Sequence, residues 1–219
     1  MNNNTFPIHP DLLDKRRQEV LLQLIPFTKG FVLGGGTALA LQLSHRKSFD
    51  FDFFSLSEIQ KQLLEKLSNS FIIDNITIDT SDELTFFTQD SIKITFLYYP
   101  FNPLFENIKV ENGLQIFTIK DIALQKAYAI GRRGVYRDYF DLYTILKNGH
   151  MSLKEIILGS KQVFNGAFDE KIFLEQLVYF KDILNFEIIP IGNKTIPTLD
   201  EIKNYFEELT KKYINITQV

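Results

Sequence analysis

The spacing of hydrophobic and polar positions changes along the chain and predicts its elements. Residues 11–25 place leucines and a valine at helical spacing between two prolines, which predicts an amphipathic helix. The run GFVLGG that follows predicts a short buried strand ending at glycines, and Thr37 is predicted to cap the next helix, ALALQLSH. Residues 48–55, SFDFDFFS, alternate aspartate and phenylalanine with a period of two, which predicts a strand.

The later part of the chain changes from strand-like to helical patterns near Thr118. The remaining predicted elements are a helix at 56–68, strands at 71–79, 84–89, 92–100 and 114–118, and helices at 119–133, 136–149, 152–164, 169–183 and 199–213. Short polar stretches separate the strands, as expected of antiparallel hairpins. We therefore expect an α+β fold with a mixed β-sheet flanked by helices. Residues 1–118 would form the α/β core, and residues 119–219 a helical C-terminal sub-domain that completes the active site.

Composition and charge narrow the chemistry. The 219 residues carry a formal net charge of -3, so a broadly basic nucleic-acid-binding surface is not expected. The absence of cysteine excludes disulfides, thiolate zinc sites and thiol nucleophiles, and three separated histidines do not suggest a metal site. The first ten residues show no secretory pattern, and no apolar run approaches the roughly 20 residues that span a bilayer. The expected location is the cytoplasm.

The glycine cluster at residues 34–36 does not match either familiar phosphate-binding motif. Gly36 is followed by Thr-Ala-Leu and not by the Lys-Ser or Lys-Thr of a Walker A loop, and the third glycine of the dinucleotide fingerprint is missing. A strand that ends in glycines at a helix N-terminus still favours a phosphate, because free N–H groups and the helix dipole meet it there. The alternative is a tight turn that only needs positive φ.

Asp50 and Asp52 lie in the strand predicted at residues 48–55. Residues two apart on a strand point to the same face, so the two carboxylates converge while the neighbouring phenylalanines face a buried layer. Close carboxylates repel one another unless a cation lies between them, and Mg²⁺ prefers one or two carboxylates plus substrate phosphates. The structural alternative is an exposed strand face that happens to be acidic.

These residues carry a family resemblance. Gly36-Thr37 followed by Asp50-Phe51-Asp52 resembles the Gly-Ser or Gly-Thr and Asp-x-Asp signature of the DNA polymerase beta-type nucleotidyltransferase superfamily. The segment GGGTALALQLSHRKSFDFDFF is more similar to the AbiEii/AbiGii branch, which comprises the nucleotidyltransferase toxins of toxin–antitoxin and abortive-infection systems. Further on, IKDIALQKAYAIGRRGVYRDYFDLY resembles the second conserved region of that branch. The resemblance covers roughly residues 30–146.

The resemblance implies a polymerase beta-like fold and an enzyme that transfers a nucleoside monophosphate from an NTP to an acceptor, with tRNA or another RNA as one candidate. Mg²⁺ or Mn²⁺ would be the cofactor, and a cognate antitoxin protein a partner; no membrane contact is expected. The implied catalytic residues are Asp50, Asp52, Lys126 and Asp138, with Asp50 and Asp52 as metal ligands. The implied nucleotide-binding and phosphate-binding residues are Gly35, Gly36, Thr37, Arg46, Arg133, Arg137 and Asp141.

Several of these residues also have ordinary structural explanations. Lys126 lies in an apolar helix and could extend its ammonium to water, and the arginines could be solvated surface residues. Asp138 and Asp141 share one helix face and could serve as a helix cap or pair with Arg133 or Arg137.

One departure from the superfamily pattern keeps other functions open. Members usually carry a third carboxylate on a later strand, whereas the candidate strand SIKITFLYY places Thr95 at the inward position. Either Asp138 or another helix acid supplies the missing function, or the enzyme is weak or inactive. A degenerate member that only binds a nucleotide or a protein partner is therefore an alternative. A transferase that modifies an antibiotic is another, because it shares the fold and the paired acids.

Overall fold

A computed structural model describes residues 9 and 12–217. The described residues do not include the first residue of the helix predicted at 11–25. They also leave out most of the first ten residues, which show no secretory pattern. The chain divides into two compact units, Met1–Thr118 and Ile119–Val219.

The first unit is built on a mixed sheet. Within the described residues it contains helices α1 (Lys15–Leu24), α2 (Gly35–Leu43) and α3 (Gln62–Ser68) and seven strands. The strands are β1 (Val32–Gly34), β2 (Phe51–Ser55), β3 (Ile73–Asp79), β4 (Glu83–Thr88), β5 (Lys93–Tyr98), β6 (Ile108–Lys109) and β7 (Gln115–Ile116). Their order is β3-β4-β5-β2-β1-β7-β6, with β2–β5 and β1–β7 parallel and the other pairs antiparallel.

The two faces of the central strands differ in chemistry. On one face Phe51 and Phe53 of β2 are fully buried, and Phe53 stacks on Phe96 of β5 with ring centroids 5.2 Å apart. On the other face Asp52 pairs in register with Thr95 of β5 on one side and with Gly34 of β1 on the other. The period-two pattern of β2 thus directs Phe51 and Phe53 into the core and places Asp52 on the opposite face.

The second unit is helical in its described part. Its helices are α4 (Ile119–Ile130), α5 (Tyr136–Lys147), α6 (Leu153–Phe164), α7 (Glu170–Leu177) and α8 (Leu199–Thr217). A capping box between Ser152 and Glu155 begins α6, which explains why a helix starts sharply there. Large aromatic side chains such as Tyr139, Phe173 and Phe206 fill the interior. The predicted α+β class, with a mixed sheet and a helical C-terminal half, is confirmed.

Two predicted helix boundaries and one strand differ from the prediction. The helix predicted at 56–68 begins only at Gln62, because the Ser57 N–H bonds to Ser55 Oγ and the Ile59 N–H bonds to the Ser81 carbonyl. Helix α7 was predicted to continue to residue 183 but ends at Leu177. The Tyr139 hydroxyl donates to the Gln176 carbonyl at this end of the helix. Strand β6 was not predicted at all.

The β6–β7 hairpin is formed by a turn that the hydrophobic pattern does not reveal. The Val110 N–H bonds to the Leu114 carbonyl at 2.9 Å, and Gly113 at the turn has φ +90. Asn112-Gly113 is the type of dipeptide that supplies this positive φ. The dipeptide was therefore the available signal for the extra strand.

Within the part of the chain that the structure describes, no helix combines the length and the apolar character that crossing a membrane requires.

Candidate functional site

Each of the three consecutive glycines is required by a close neighbour. A Cβ at Gly34 would lie 2.5 Å from the Phe54 ring, and one at Gly35 would lie 2.5 Å from Asp52 Oδ2. A Cβ at Gly36 would collide with Arg46 Nη2. Gly35 also has φ +65, which L-residues rarely adopt. The turn therefore lies so close to a carboxylate and a guanidinium that a Cβ at Gly35 or Gly36 would force one of these groups to move.

Helix α2 begins directly at this turn, and its cap is not the predicted one. The N-cap residue is Gly34, and Thr37 is the third residue of the helix, so the prediction that Thr37 caps it was wrong. Glycine is one of the residues that the N-cap position accepts. The helix therefore begins at Gly35, before Thr37 and not after it. The first N–H groups of α2 have no partner within the helix.

Thr37 instead joins the helix to the segment before β2. Its side chain is buried, its hydroxyl donates to the Asp50 carbonyl oxygen, and its Oγ1 lies 3.0 Å from Ser48 Oγ. Because these partners already engage the hydroxyl, Thr37 orients the backbone of Asp50. Sequence reasoning missed Ser48, although it lies in the same RKSFDFD stretch.

The two aspartates of the motif lie at the start of β2. Asp52 is partly buried, and its carboxylate lies against Gly35, as the 2.5 Å distance shows. Asp50 is also partly buried and immediately precedes the strand, which begins at Phe51. Helix α2 and the segment after it separate the glycine turn from Asp52 in the sequence, and the structure brings the two into contact.

These residues fit a hard divalent cation. Among the described residues, no group of three or more His, Cys, Asp or Glu side chains could by itself hold a metal ion. The donors that the motif offers are the carboxylates of Asp50, which precedes β2, and of Asp52, which lies against Gly35. Mg²⁺ is usually bound by one or two carboxylates together with substrate phosphates. The donor set therefore matches a metal that arrives with its substrate.

The residue beside Asp52 on the neighbouring strand, where the sequence indicates that a third acid is missing, is a threonine. Thr95 of β5 is in register with Asp52, and Thr85 of β4 is in register with Thr95. The Thr85 and Thr95 hydroxyl oxygens lie 3.2 Å apart, and Thr85 Oγ1 donates to Glu83 Oε1 at 2.6 Å. Glu83 thus shares the hydrogen-bond network of the polar face of the sheet, which strand periodicity alone did not indicate.

Arg46 lies against the glycine turn. The residue is buried, its Nη1 donates to the Lys47 carbonyl at 2.9 Å, and its Nη2 faces Gly36. A guanidinium at this place brings positive charge to the first turn of α2.

A second charged cluster lies in the helical unit, where α4 and α5 pack together. Lys126 Nζ lies 2.7 Å from Asp138 Oδ1 and 2.7 Å from Asp141 Oδ2. Arg133 Nε lies 2.9 Å from Asp138 Oδ2. The relative exposures are 6% for Lys126, 1% for Asp138 and 0% for Asp141, so Lys126 does not extend to water as the structural explanation allowed. Arg137 lies on the exposed side of α5.

Charge interactions set the protonation of Asp138. Burial on its own would raise the pKa of this carboxyl, but the positive charges of Lys126 and Arg133 outweigh burial and hold the pKa below its usual value. Asp138 is therefore a carboxylate at neutral pH and a weak proton acceptor.

Acidification is expected to remove the stabilisation that Asp138 provides. A carboxyl whose pKa is lowered by folding contributes stability that is fully present above its unfolded pKa, about 3.9, and lost as the pH falls through the folded pKa. Urea unfolding of the wild type and of Asp138→Asn between pH 7 and pH 3 checks this. The difference in unfolding free energy between the two proteins should shrink below about pH 4. A difference that stays constant with pH would contradict the assignment.

Gly35→Ala is expected to lower the free energy of unfolding by about 1–3 kcal/mol, because it combines positive-φ strain with a Cβ placed on the Asp52 carboxylate. Gly166→Ala is the matched control, since no atom lies within 4 Å of its Cβ position and its φ is unstrained. The control should change stability by less than about 0.5 kcal/mol. Chemical denaturation measures both, and equal effects of the two substitutions would count against the described turn.

Comparison with solved structures defines the class of fold. The chain resembles MenT4, the nucleotidyltransferase toxin Rv2826c from Mycobacterium tuberculosis H37Rv, with a TM-score of 0.61, 13% identity and coverage of 92% of this chain and 84% of that chain. JHP933 from Helicobacter pylori aligns over 97% of this chain and 100% of that chain, with 20% identity and a TM-score of 0.48. The fold is that of a nucleotidyltransferase.

Sequence comparison gives the family. Residues 19–203 match the family described as nucleotidyl transferase AbiEii toxin, type IV toxin–antitoxin system, and the chain belongs to this family. It is also 32% identical over 210 residues to the uncharacterized protein aq_aa25 of Aquifex aeolicus (strain VF5), with coverage of 92% of this chain and 98% of that protein. The resemblance that the two sequence motifs indicated is confirmed.

Proposed function

We propose that this protein is a Mg²⁺-dependent nucleotidyltransferase that moves a nucleoside monophosphate from an NTP to an RNA acceptor and acts as the toxin of a toxin–antitoxin pair. The observation that carries the proposal is the contact between the Asp52 carboxylate and Gly35, the first residue of α2. This contact supports the proposal, in which Asp52 is a metal ligand and the start of α2 binds phosphate. The chain's membership of a nucleotidyltransferase toxin family supports the same reaction.

The residues of the first unit have separate tasks in this proposal. The N–H groups of the first turn of α2 bind the terminal phosphates of the NTP, and the glycines let these phosphates approach closely. Asp50 and Asp52 would hold the metal, which would supply Lewis-acid stabilisation of the charge on the reacting phosphates. Thr37 fixes the backbone of Asp50 through its hydroxyl. The acceptor hydroxyl attacks the α-phosphorus and gives its proton to solvent, the bond from the α-phosphorus to the bridging oxygen of the β-phosphate breaks, and pyrophosphate leaves.

The buried charged cluster of the second unit enters the proposal through the family resemblance. Because Lys126 and Arg133 hold Asp138 as a weakly basic carboxylate, Asp138 is better suited to orienting Lys126 than to accepting a proton. The double contact of Lys126 with Asp138 and Asp141 fixes the direction of its ammonium. We propose that Asp138 and Asp141 position Lys126, whose catalytic role rests on the family resemblance.

The acceptor class and the partner rest on the family. An RNA acceptor agrees with a growth-inhibiting toxin, whereas the net charge of -3 gives no separate support for an RNA surface. A type IV toxin–antitoxin system implies a cognate antitoxin protein.

The threonine beside Asp52 favours one other candidate function. With Thr95 in place of a third acid, the site lacks a carboxylate next to the acceptor hydroxyl, and a protein that binds nucleotide without transferring it would have this arrangement. Such a protein would bind NTP and release no pyrophosphate.

The test is to incubate the purified protein with Mg²⁺, each of four α-labelled NTPs and total bacterial RNA including tRNA. The expected result is label on RNA with the wild type and none with Asp50→Asn/Asp52→Asn. Parallel reactions with an aminoglycoside or with a protein extract in place of RNA identify another acceptor. NTP binding without pyrophosphate release in all reactions would overturn the transferase proposal and leave the binding function.

A further inference from the structure

A small aromatic pocket lies in the first unit, next to the glycine turn. Its volume is about 170 Å³, and its aromatic walls are formed by Phe54, Tyr99, Phe101 and Phe117. The rings contact one another edge to face, with centroid distances of 5.3 Å for Phe54–Tyr99, 5.7 Å for Phe54–Phe117 and 5.1 Å for Tyr99–Phe101. The walls are therefore a connected aromatic cluster with an open cavity beside it.

The pocket adjoins the proposed phosphate and metal site on the same face of the sheet. Phe54 follows Asp52 by two residues on β2, so the two side chains share a face. The Phe54 ring also lies 2.5 Å from the Cβ position of Gly34, the residue that caps α2. One aromatic ring thus separates the pocket from the glycine turn.

One wall of the pocket carries an incompletely satisfied polar group. Asn107 lines the cavity, and its Nδ2 donates to Gln115 Oε1 at 3.4 Å. Its Oδ1 is buried and has no hydrogen-bond partner among the described residues. A buried carbonyl oxygen without a partner is costly in a folded protein, so rotation of this amide into the cavity to accept an N–H from a ligand would be favoured.

We propose that this pocket binds a nucleobase, an inference that rests on the proposed nucleotidyl transfer. The cavity is smaller than the roughly 300 Å³ or more of pockets for drug-sized ligands, so it suits one ring system and not a whole nucleotide. Aromatic walls suit the π-faces of a base, and an asparagine amide can pair with a base edge. The base belongs either to the NTP or to the terminal nucleotide of the RNA acceptor, and these two sources share the same chemistry.

The test compares Asn107→Ala and the isosteric Asn107→Asp with the control Asn75→Ala, whose residue is exposed on the edge strand β3. Calorimetry with Mg²⁺ measures the dissociation constants of the four NTPs, of inorganic tripolyphosphate and of tRNA for the wild type and each variant. If the base comes from the NTP, Asn107→Ala weakens the preferred NTP by about tenfold or more and reduces the differences among the four NTPs. Tripolyphosphate, which has no base, should bind the wild type and Asn107→Ala equally. Asn107→Asp should change which NTP is preferred.

Three further results separate a base from the acceptor, failure of the pocket proposal alone and failure of both proposals. If NTP binding is unchanged but tRNA binding weakens by about tenfold in Asn107→Ala only, the pocket binds the base of the acceptor. If the wild type binds NTP or tRNA and none of these constants differs from those of the Asn75→Ala control, the pocket proposal is wrong while the proposed function stands. If the wild type binds neither NTP nor tRNA, both proposals fail.

Discussion

Asp52→Asn is expected to reduce nucleotidyl transfer by about a thousandfold or more while the protein stays folded. The substitution keeps the shape of the side chain but removes the negative charge that we propose as a metal ligand; this carboxylate lies against Gly35. Metal stabilisation of the reacting phosphates amounts to several kcal/mol, and each 1.36 kcal/mol corresponds to a factor of ten in rate. The measurement is the initial rate of labelled-NMP transfer at saturating NTP, together with the thermal unfolding midpoint.

Asp74→Asn is the matched control for this experiment. Asp74 is exposed on the edge strand β3, so losing its charge should leave transfer unchanged within about twofold. A reduction of less than tenfold for Asp52→Asn would show that Asp52 does not hold the metal. A similar reduction for both variants would point to a general effect of charge.

Lys126→Met is expected to lower the free energy of unfolding by about 3–5 kcal/mol. The substitution keeps most of the side-chain volume but leaves the carboxylates of Asp138 and Asp141 buried with their shared cation removed. Removing one partner of a buried ion pair typically costs this much, because the remaining charge is no longer compensated. Urea unfolding at pH 7 measures the change.

Lys154→Met on α6 is the control, because this lysine is exposed and its replacement should change stability by less than about 0.5 kcal/mol. A double variant that combines Lys126→Met with Asp141→Asn should recover part of the loss, since one unpaired charge is removed with its partner. A loss of less than 1 kcal/mol for Lys126→Met would mean that the cluster is not the buried ion-pair network described above.

Much of the fold could be predicted from local patterns, because those patterns are set by residues close in sequence. The alternation in SFDFDFFS placed Phe51 and Phe53 in the core and Asp52 on the opposite face. The start of α3 and the end of α7 could not be predicted in this way. They are set by bonds from Ile59 to Ser81 and from Tyr139 to Gln176, between residues far apart along the chain.

The candidate site shows the same limit. The motif spacing indicated that the glycines and Asp52 belong together, but the tight approach of Asp52 and Arg46 to the turn depends on strand pairing and loop packing. The shared contact of Lys126 with Asp138 and Asp141 depends on how α4 packs on α5. Periodicity assigned Lys126 only to an apolar helix and could not show where its ammonium lies. The catalytic and binding roles of these residues stay predictions.

The most direct test of nucleotidyl transfer is to compare α-labelled and γ-labelled samples of the same NTP with the purified protein, Mg²⁺ and its acceptor. The proposed reaction breaks the bond between the α- and β-phosphates, so the α-label should stay on the acceptor and the γ-label should leave as pyrophosphate. Label from the γ-phosphate on the acceptor would show phosphoryl transfer, which contradicts the account.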